Sequence, residues 1–262
     1  MTTSIQDNDL KLSIVIPVYN EHENIEHTIH SIKRNIRSPH EIIAIYDDES
    51  DTTIPVLNRL KNQFSGLNII KNAIKIGPSG AIRTGINASQ APLVLVMMAD
   101  LCDDISQVES FIKLIPHEAD IVCPSRYCEG GSQELSESPK KWLPKFAGII
   151  MHHIAGLPYD STNSYKLYSK KVLDELELIS TSSFSVTLEI VVKAKALGYS
   201  LVEIPTTWKD RQFGKSKFKL ITSIITYLPW FIFAISNGLL NIFSSKQSKK
   251  NNEKKINKSN SS

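Results

Sequence analysis

Cysteine is scarce in this sequence, and its placement excludes two classes of small, cross-linked fold. Cys102, Cys123 and Cys128 are the only cysteines among 262 residues. They show neither the paired spacing of a zinc site nor the even number of a disulfide framework, which favours a reducing, cytosolic setting. The first ten residues are polar and lack an apolar core, so we expect no signal peptide.

A strong excess of charge is missing as well. The net charge is only +3, and Lys246 to Ser262 is rich in lysine, with Glu253 as its only acid. We expect this stretch to be a disordered tail, and residues 1–11 to be disordered too. The remainder is close to neutral, which argues against a general nucleic-acid binder. No G-x-x-x-x-G-K-[ST] segment occurs, so a P-loop nucleotidase is not expected.

What is present is an alternation of apolar strands and helical patterns. Apolar residues make up 41% of the chain, enough for a substantial core. The predicted strands are separated by segments with helical spacing, which indicates βαβ units and a mostly parallel sheet with helices on both faces. These strands cover Leu12 to Val18, Glu41 to Tyr46, Leu67 to Ile70, the run from Val94 and Ala119 to Pro124.

The central stretch, Val94 to Asp104, begins as an uninterrupted apolar run and ends in three carboxylates. Such a run is typical of a strand buried on both faces, and ligands of open α/β sheets bind beyond the carboxyl ends of the strands. Asp100, Asp103 and Asp104 could therefore hold a hard divalent cation. Alternatively, Asp103 and Asp104 only cap the helix that is predicted from Ile105.

Two other predicted strands also end in polar residues. Tyr19, Asn20 and Glu21 follow the first strand, and Asp47 and Asp48 follow the second. Because parallel strands bring their carboxyl ends to one edge of a sheet, these side chains should converge with Asp100. One acidic strand end would be unremarkable, but three predict a site.

The order of these segments resembles that of the family 2 glycosyltransferases, which have the GT-A fold. The matching segments in the first half are I-P-V-Y-N-E (16–21), E-I-I-A-I-Y-D-D-E-S-D (41–51), G-A-I-R-T-G (80–85) and M-A-D-L-C-D-D (98–104). In the second half, P-S-R-Y (124–127), D-S-T-N-S-Y-K-L-Y-S (160–169) and D-R-Q-F-G-K-S-K (210–217) resemble segments of polyprenyl-phosphate sugar transferases. The resemblance includes dolichyl-phosphate mannose synthases and bacterial undecaprenyl-phosphate sugar transferases. It runs from about Leu12 to Phe218, and we take 12–218 as the catalytic domain.

The resemblance implies an inverting transfer of a sugar from a nucleotide-diphosphate sugar to a polyprenyl phosphate, with Mg²⁺ or Mn²⁺ as cofactor. It implies Asp100 as a metal ligand. Asp103 or Asp104 could supply the oxygen that Met98 lacks, and we take Asp103 as the second ligand. The implied catalytic residues are Asp100, Asp160, Arg126 and Arg211. The implied substrate-binding residues are Pro17, Tyr19, Glu21, Asp47, Asp48, Gly80, Arg83, Lys215 and Lys217.

Several of these assignments have plainer alternatives. Asp47 and Asp48 could form only a strand-end turn, Asp160 could cap a turn, and the basic residues from Arg211 to Lys217 could be an ordinary solvated loop. Met98 stands where many family members have an acid, and a thioether is a poor ligand for Mg²⁺. Two functions compete with this one. The first is transfer to a hydroxyl acceptor, and the second is binding of nucleotide sugar without turnover by a degenerate domain.

A membrane surface is a further expected partner. Leu220 to Ser245 contains no charged residue, and residues 140–157 have an amphipathic pattern. An interfacial pair of helices, a single membrane span over 219–245 and a soluble docking surface are all open. Each leaves the active site at the cytoplasmic face. Oligomeric state also stays open, with a homo-oligomer among the states allowed.

Overall fold

The computed structural model describes residues 10–115, 117–134, 142–210 and 224–238. The predicted disordered segment 246–262 and most of 1–11 lie outside this part of the chain, as do Arg211, Lys215 and Lys217. Among the helices that are described, none is both long enough and apolar enough to cross a membrane.

A seven-stranded sheet forms the centre of the fold, with the strand order β3-β2-β1-β4-β7-β5-β8. All neighbouring pairs are parallel except the two that β7 makes with β4 and β5. The mostly parallel sheet is therefore confirmed, with one antiparallel strand within it. The strands are β1 (Leu12–Pro17), β2 (His40–Tyr46), β3 (Leu67–Lys71), β4 (Leu93–Val96), β5 (Ile121–Ser125), β7 (Lys166–Ser169) and β8 (Leu201–Pro205). A separate parallel pair consists of β6 (Ser132–Glu134) and β9 (Thr207–Lys209).

Helices cover both faces of the sheet, as the alternation of strands and helices predicts. Their bounds are α1 (Ile25–Asn35), α2 (Thr53–Lys61), α3 (Pro78–Ala88), α4 (Val108–Leu114), α5 (Trp142–Ala155), α6 (Lys170–Glu175) and α7 (Ser185–Ala196). A further helix, α8, occupies 224–238. The helix expected from Ile105 to Ile115 begins instead as a 3-10 turn, Ile105–Gln107, which leads into α4.

Alternate residues of the strands face two separate hydrophobic cores. Val15, Ile43 and Val96 belong to the core shared with α3, α5, α7 and α8. Their neighbours Ile14 and Ile42 belong to the core shared with α1, α2 and α4. This burial on both faces explains why the strands read as continuous apolar runs, and it leaves only the strand ends free to build a site.

Candidate active site

The loops after β1 and β2 interlock at the carboxyl edge of the sheet. The backbone N–H of Asn20 donates to Asp51 Oδ1 at 2.9 Å, and the N–H of Thr52 donates to Asn20 Oδ1 at 3.1 Å. Asn20 has a left-handed backbone, with φ of 54°, a conformation that asparagine tolerates better than most residues. Asp51 was not predicted as a site residue, although it lies in the quoted acidic segment. It fixes the two loops to each other.

This loop pair carries the first group of predicted substrate-binding residues. Pro17 is the buried last residue of β1, and Tyr19, with 55% of its surface exposed, follows it. Glu21 is half-buried, and its Oε2 accepts from Asn24 Nδ2 at 2.7 Å. The structure therefore brings an exposed aromatic ring and a carboxylate to the end of one strand.

Asp47 and Asp48 have different environments although they are adjacent. Asp47 accepts hydrogen bonds from Asn72 Nδ2 at 2.7 Å and from the N–H of Gly77 at 2.9 Å. Asp48 is exposed and accepts from the backbone and hydroxyl of Ser50, which lower its pKa. Asp47 thus holds the loop that precedes α3. Asp48 forms a strand-end turn, which is the plainer alternative given above, and its carboxylate is exposed.

The start of α3 comes unusually close to the preceding loop. A Cβ atom at Gly80 would lie 1.9 Å from the carbonyl oxygen of Lys75, so only glycine fits this position. The N–H groups of Gly77 and Ser79 donate to Asp47 and to Ser183 O. Arg83, one turn further on, is half-buried and donates from Nη1 to Ser180 O at 3.1 Å. Its remaining guanidinium donors stay available to a ligand.

The acidic loop after β4 is held by its own backbone. Asp100 is 8% exposed, and its Oδ1 accepts from the N–H of Cys102 at 3.3 Å. Leu101 between them has a positive φ of 60°, an uncommon conformation for a bulky residue that often marks a functional site. Asp104 accepts from both the N–H and the hydroxyl of Ser106 and so caps the 3-10 turn. The capping alternative is therefore correct for Asp104.

Asp103 turns back toward the strand end instead of capping. Its carboxyl group lies close enough to the Met98 backbone for that backbone to lower its pKa, which partly offsets the effects that raise it. The pKa of Asp103 is raised to about 7, first because its carboxyl group is buried and second because the Asp100 carboxylate lies nearby. The residue as a whole is partly exposed. An acidic side chain is thus placed against the backbone of the position where Met98 replaces the usual acid.

Asp100 and Asp103 fit a divalent cation as a pair. The Asp100 carboxylate raises the pKa of Asp103, as expected for two like charges that lie close together, and a cation relieves such repulsion. Within the described ranges there is no group of three or more His, Cys, Asp or Glu side chains arranged to hold a metal. Two carboxylates agree with the way Mg²⁺ is often bound, because it takes its other ligands from substrate phosphates and water.

A bidentate ion pair lies beside this loop. Arg126 Nε donates to Asp160 Oδ2 at 2.6 Å, Nη2 donates to Oδ1 at 2.8 Å, and the Arg126 backbone N–H also donates to Oδ2 at 3.1 Å. The side chain of Asp160 is fully buried, and that of Arg126 is 17% exposed. The carboxylate raises the pKa of Arg126 above its ordinary value. The charges of both residues also act on Asp103, which places the pair and the acidic loop in one site.

Two residues that the sequence analysis did not predict hold the backbone of the loop that contains Asp160. Lys166, the fully buried first residue of β7, donates from Nζ to the carbonyl oxygens of Asn163 and, at 3.3 Å, of Asp160. Burial lowers its pKa. Glu203 of β8 accepts from the N–H of Asp160 at 3.2 Å. The only signal in the sequence was a pair of charged residues inside strands, which has no distinctive spacing.

The comparison with protein families shows the family to which this chain belongs. Residues 13–177 match the family model described as glycosyl transferase family 2. The chain belongs to glycosyl transferase family 2. The resemblance stated from the motifs is therefore confirmed, and this family 2 member is a glycosyltransferase.

Curated relatives of this glycosyltransferase include two enzymes whose names contain dolichol phosphate or polyprenol monophosphomannose. It is 30% identical over 217 residues to the dolichol-phosphate mannosyltransferase of Pyrococcus furiosus, covering 80% of this chain and 60% of that one. It is 26% identical over 211 residues to the polyprenol monophosphomannose synthase of Mycolicibacterium smegmatis, covering 78% of this chain and 79% of that one. The chain thus spans about three fifths of the archaeal relative.

Solved structures confirm the fold. Glucosyl-3-phosphoglycerate synthase of Mycobacterium tuberculosis, in complex with Mn²⁺, UDP and glucosyl-3-phosphoglycerate, superposes with a TM-score of 0.63 at 14% identity. The match covers 87% of this chain and 79% of that one. The same enzyme in complex with Mg²⁺ and UDP gives a TM-score of 0.62. At this identity the likeness shows the GT-A-like fold alone, with its mixed, mostly parallel sheet.

Proposed function

We propose that this glycosyltransferase moves a sugar from a nucleoside-diphosphate sugar to a polyprenyl phosphate at the cytoplasmic face of a membrane, with inversion. The observation that carries the proposal is the Arg126–Asp160 pair beside the acidic loop. The names of the two curated relatives support the same acceptor class, because one contains dolichol phosphate and the other contains polyprenol monophosphomannose.

The state of Asp160 argues for a phosphate acceptor. A hydroxyl acceptor needs a general base, usually a positioned carboxylate. Both oxygens of Asp160 already accept from Arg126, and the side chain is fully buried. A phosphate monoester needs no such base, because its second pKa of about 6 leaves it with a nucleophilic oxygen at neutral pH. We therefore assign Asp160 the role of orienting Arg126.

Arg126 is suited to bind that phosphate. A guanidinium group carries five N–H donors, and Asp160 engages the Nε donor and one on Nη2. The rest can meet phosphate oxygens in the planar geometry that arginine provides. Held by a buried carboxylate, the guanidinium is oriented before substrate arrives, which lowers the entropic cost of the reactive geometry.

The acidic loop would hold the donor diphosphate through a cation. Asp100 and Asp103 are the residues that would bind Mg²⁺ or Mn²⁺. When bound, the cation neutralises charge that develops on the leaving nucleoside diphosphate. Asp103 would bind it in the deprotonated form, so the carboxyl must lose the proton that its raised pKa retains.

The loops after β1 and β2 would bind the nucleotide. Tyr19 offers an exposed ring beside the base, while Pro17 would line the slot. The carboxylates of Glu21, Asp47 and Asp48 can accept hydrogen bonds from amino and hydroxyl groups of the base and ribose. Gly80 and Arg83 would approach the diphosphate from α3. Arg211, Lys215 and Lys217, outside the described residues, remain predicted contacts of the phosphate groups.

The described part of α8 supports docking on a lipid surface. Ile225, Leu228 and Ile232 lie on one helical face, and 66%, 52% and 57% of their surfaces are exposed. Phe146 of α5 is 63% exposed. An added Cβ atom at Gly238 would lie 2.3 Å from the carbonyl oxygen of Ile154, so α8 packs tightly on α5. Two adjoining helices with exposed apolar side chains suit an interfacial position, and the lysine-rich sequence after 245 suits anionic lipids.

A transfer assay tests the proposal. Radiolabelled GDP-mannose, UDP-glucose and UDP-N-acetylglucosamine would each be incubated with the full chain and Mn²⁺ or Mg²⁺, with a short polyprenyl phosphate in detergent. We expect label in an acid-labile product that partitions into organic solvent. Transfer to a saccharide or alcohol, with none to the lipid phosphate, would overturn the proposed acceptor in favour of a hydroxyl.

Matched variants of the acidic loop test the metal site in the same assay. We expect Asp100→Asn to abolish transfer and its dependence on metal while the circular dichroism spectrum stays unchanged. Asp104→Asn is the control, because Asp104 only caps the adjacent 3-10 turn. Full turnover of Asp100→Asn would refute the assignment of Asp100.

A further inference from the structure

Glu189 is a buried acid that the proposed reaction does not use. Its side chain is fully buried in α7, where Oε1 and Oε2 accept from the backbone N–H groups of Ile179 and Ser180, both at 2.8 Å. Lys193, one turn later, neutralises the carboxylate at 2.7 Å. An acid that is bound this completely holds a piece of backbone in place, here the segment between α6 and α7.

Ser180 in this segment is contacted from three helices at once. Its N–H donates to Glu189 of α7, and its carbonyl oxygen accepts from Nη1 of Arg83 in α3 at 3.1 Å. Its hydroxyl accepts from Nε1 of Trp230 in α8 at 2.9 Å. The three polar groups of Ser180 therefore contact three different helices, and the hydroxyl makes the contact with α8.

Three more contacts strengthen this junction. The ammonium group of Lys193 lies 5.1 Å from the centre of the Trp230 ring, within the range of a cation–π interaction. The N–H and hydroxyl of Ser79, in the first turn of α3, both donate to Ser183 O, at 2.9 and 2.8 Å. The segment from Ser180 to Ser183 thus binds α8 on one side and the start of α3 on the other.

The two helices joined in this way serve different ligands in the proposed function. Arg83 lies in α3, on the side of the donor diphosphate, while the outer face of α8 exposes apolar side chains to the lipid surface. Trp230 is on the inner face, buried in the core shared by α3 and α7. A lipid surface that stabilises the packing of α8 would also restrain Ser180 through its hydrogen bond to Trp230. Ser180 would in turn restrain Arg83.

We infer that Ser180 is a positioning residue that couples lipid docking of α8 to binding of the nucleoside diphosphate at α3. This inference rests on the proposed function. If docking of α8 on lipid orders Arg83, less conformational entropy is lost when the nucleotide binds. The affinity for nucleotide therefore rises when lipid is bound. By reciprocity, bound nucleotide strengthens lipid docking by the same factor.

The test compares nucleotide affinity with and without lipid. The dissociation constants of UDP and GDP would be measured for the full chain with Mn²⁺, alone and with vesicles of phosphatidylcholine and phosphatidylglycerol. For the nucleotide that binds, we expect at least about a fivefold tightening on vesicles, the lower end of typical couplings. Ser180→Ala should bind vesicles as before and bind lipid-free nucleotide normally, yet lose the tightening.

Ser185→Ala is the matched control. Ser185, the first residue of α7, is also buried, and among the described residues its hydroxyl donates to Ser182 O at 2.7 Å. It should retain the full tightening. Trp230→Phe should reproduce Ser180→Ala, and the double variant should lose no more than either single one, because all three remove the same hydrogen bond.

Three results would overturn the inference. They are an unchanged nucleotide affinity of the wild-type protein on vesicles, a full tightening in Ser180→Ala, and an equal loss in Ser185→Ala. The transfer assay is scored separately. A vesicle-dependent rise in nucleotide affinity without transfer to polyprenyl phosphate would leave the coupling in place and refute only the proposed acceptor.

Discussion

Asp160→Asn, measured alone and together with Arg126→Ala, should separate an orienting acid from a general base. The substitution puts an amide N–H₂ opposite one of the two guanidinium donors that now meet carboxylate oxygens at 2.6 and 2.8 Å. One of these hydrogen bonds is lost, and Arg126 keeps a charge that no longer has a buried counter-ion. Removing one partner of a buried pair costs about 3 kcal/mol. For a domain of this size that corresponds to a fall in Tm of roughly 6–12 °C.

The effect on transfer follows from the position of Arg126. A guanidinium group displaced by about 1 Å can cost about 100-fold in rate, so we expect kcat for the lipid phosphate to fall by that order. A general base would give a similar loss, and the single variant therefore does not distinguish the two roles.

The double variant with Arg126→Ala makes the distinction. If Asp160 acts only through Arg126, then Arg126→Ala/Asp160→Asn should transfer no more slowly than Arg126→Ala alone. Its free energy of unfolding should be no lower than that of either single variant, because neither charge is left unpaired. Steady-state transfer assays and urea denaturation of all four proteins complete the cycle. Losses that multiply in the double variant would refute the orienting role.

Two further predictions concern the acidic loop and α3. Because the folded-state pKa of Asp103 is about 7, above its ordinary 3.8, the metal-free folded protein holds this proton more tightly than the unfolded chain. The contribution of Asp103 to stability should therefore fall as pH rises from about 4 to about 7, by at most about 1.4 kcal/mol per pH unit. Asp103→Asn should remove this contribution in thermal melts without metal, and an identical pH dependence in the variant would contradict the assignment. Gly80→Ala should lower the free energy of unfolding by about 1–3 kcal/mol, because the new Cβ would lie 1.9 Å from Lys75 O. In a helix without such a clash, alanine instead stabilises by up to about 1 kcal/mol. If urea denaturation shows that gain, the close approach of Gly80 to Lys75 is wrong.

The alternation of strands and helices was predictable because it depends on local periodicity. Strands that are buried on both faces read as apolar runs, and their polar ends mark the edge where a site forms. Asp100 and the β1 and β2 strand ends were therefore found at the expected edge. The antiparallel strand β7 was not predicted, since its segment, Lys166–Ser169, begins with a charged residue and carries no alternation.

The pairing of side chains could not be read from their spacing. Arg126 and Asp160 are separated by 34 residues and meet only because β5 and the loop before β7 come together in the fold. The two neighbouring acids Asp103 and Asp104 looked equivalent in sequence. Backbone conformation separates them, since the positive φ of Leu101 precedes a turn in which Asp103 faces the Met98 backbone and Asp104 caps a helix.

The sequence by itself determined the family, the class of fold and the acidic edge, because ordered motifs and hydrophobic periodicity are local properties that a single chain displays directly. Only the tertiary structure decided what each charged group does. It showed Asp160 bound to Arg126 instead of free, Lys166 buried beneath that loop, and Glu189 holding the segment where α3 and α8 meet. The role of a charged side chain depends on its partners in space, and those partners come from distant parts of the chain.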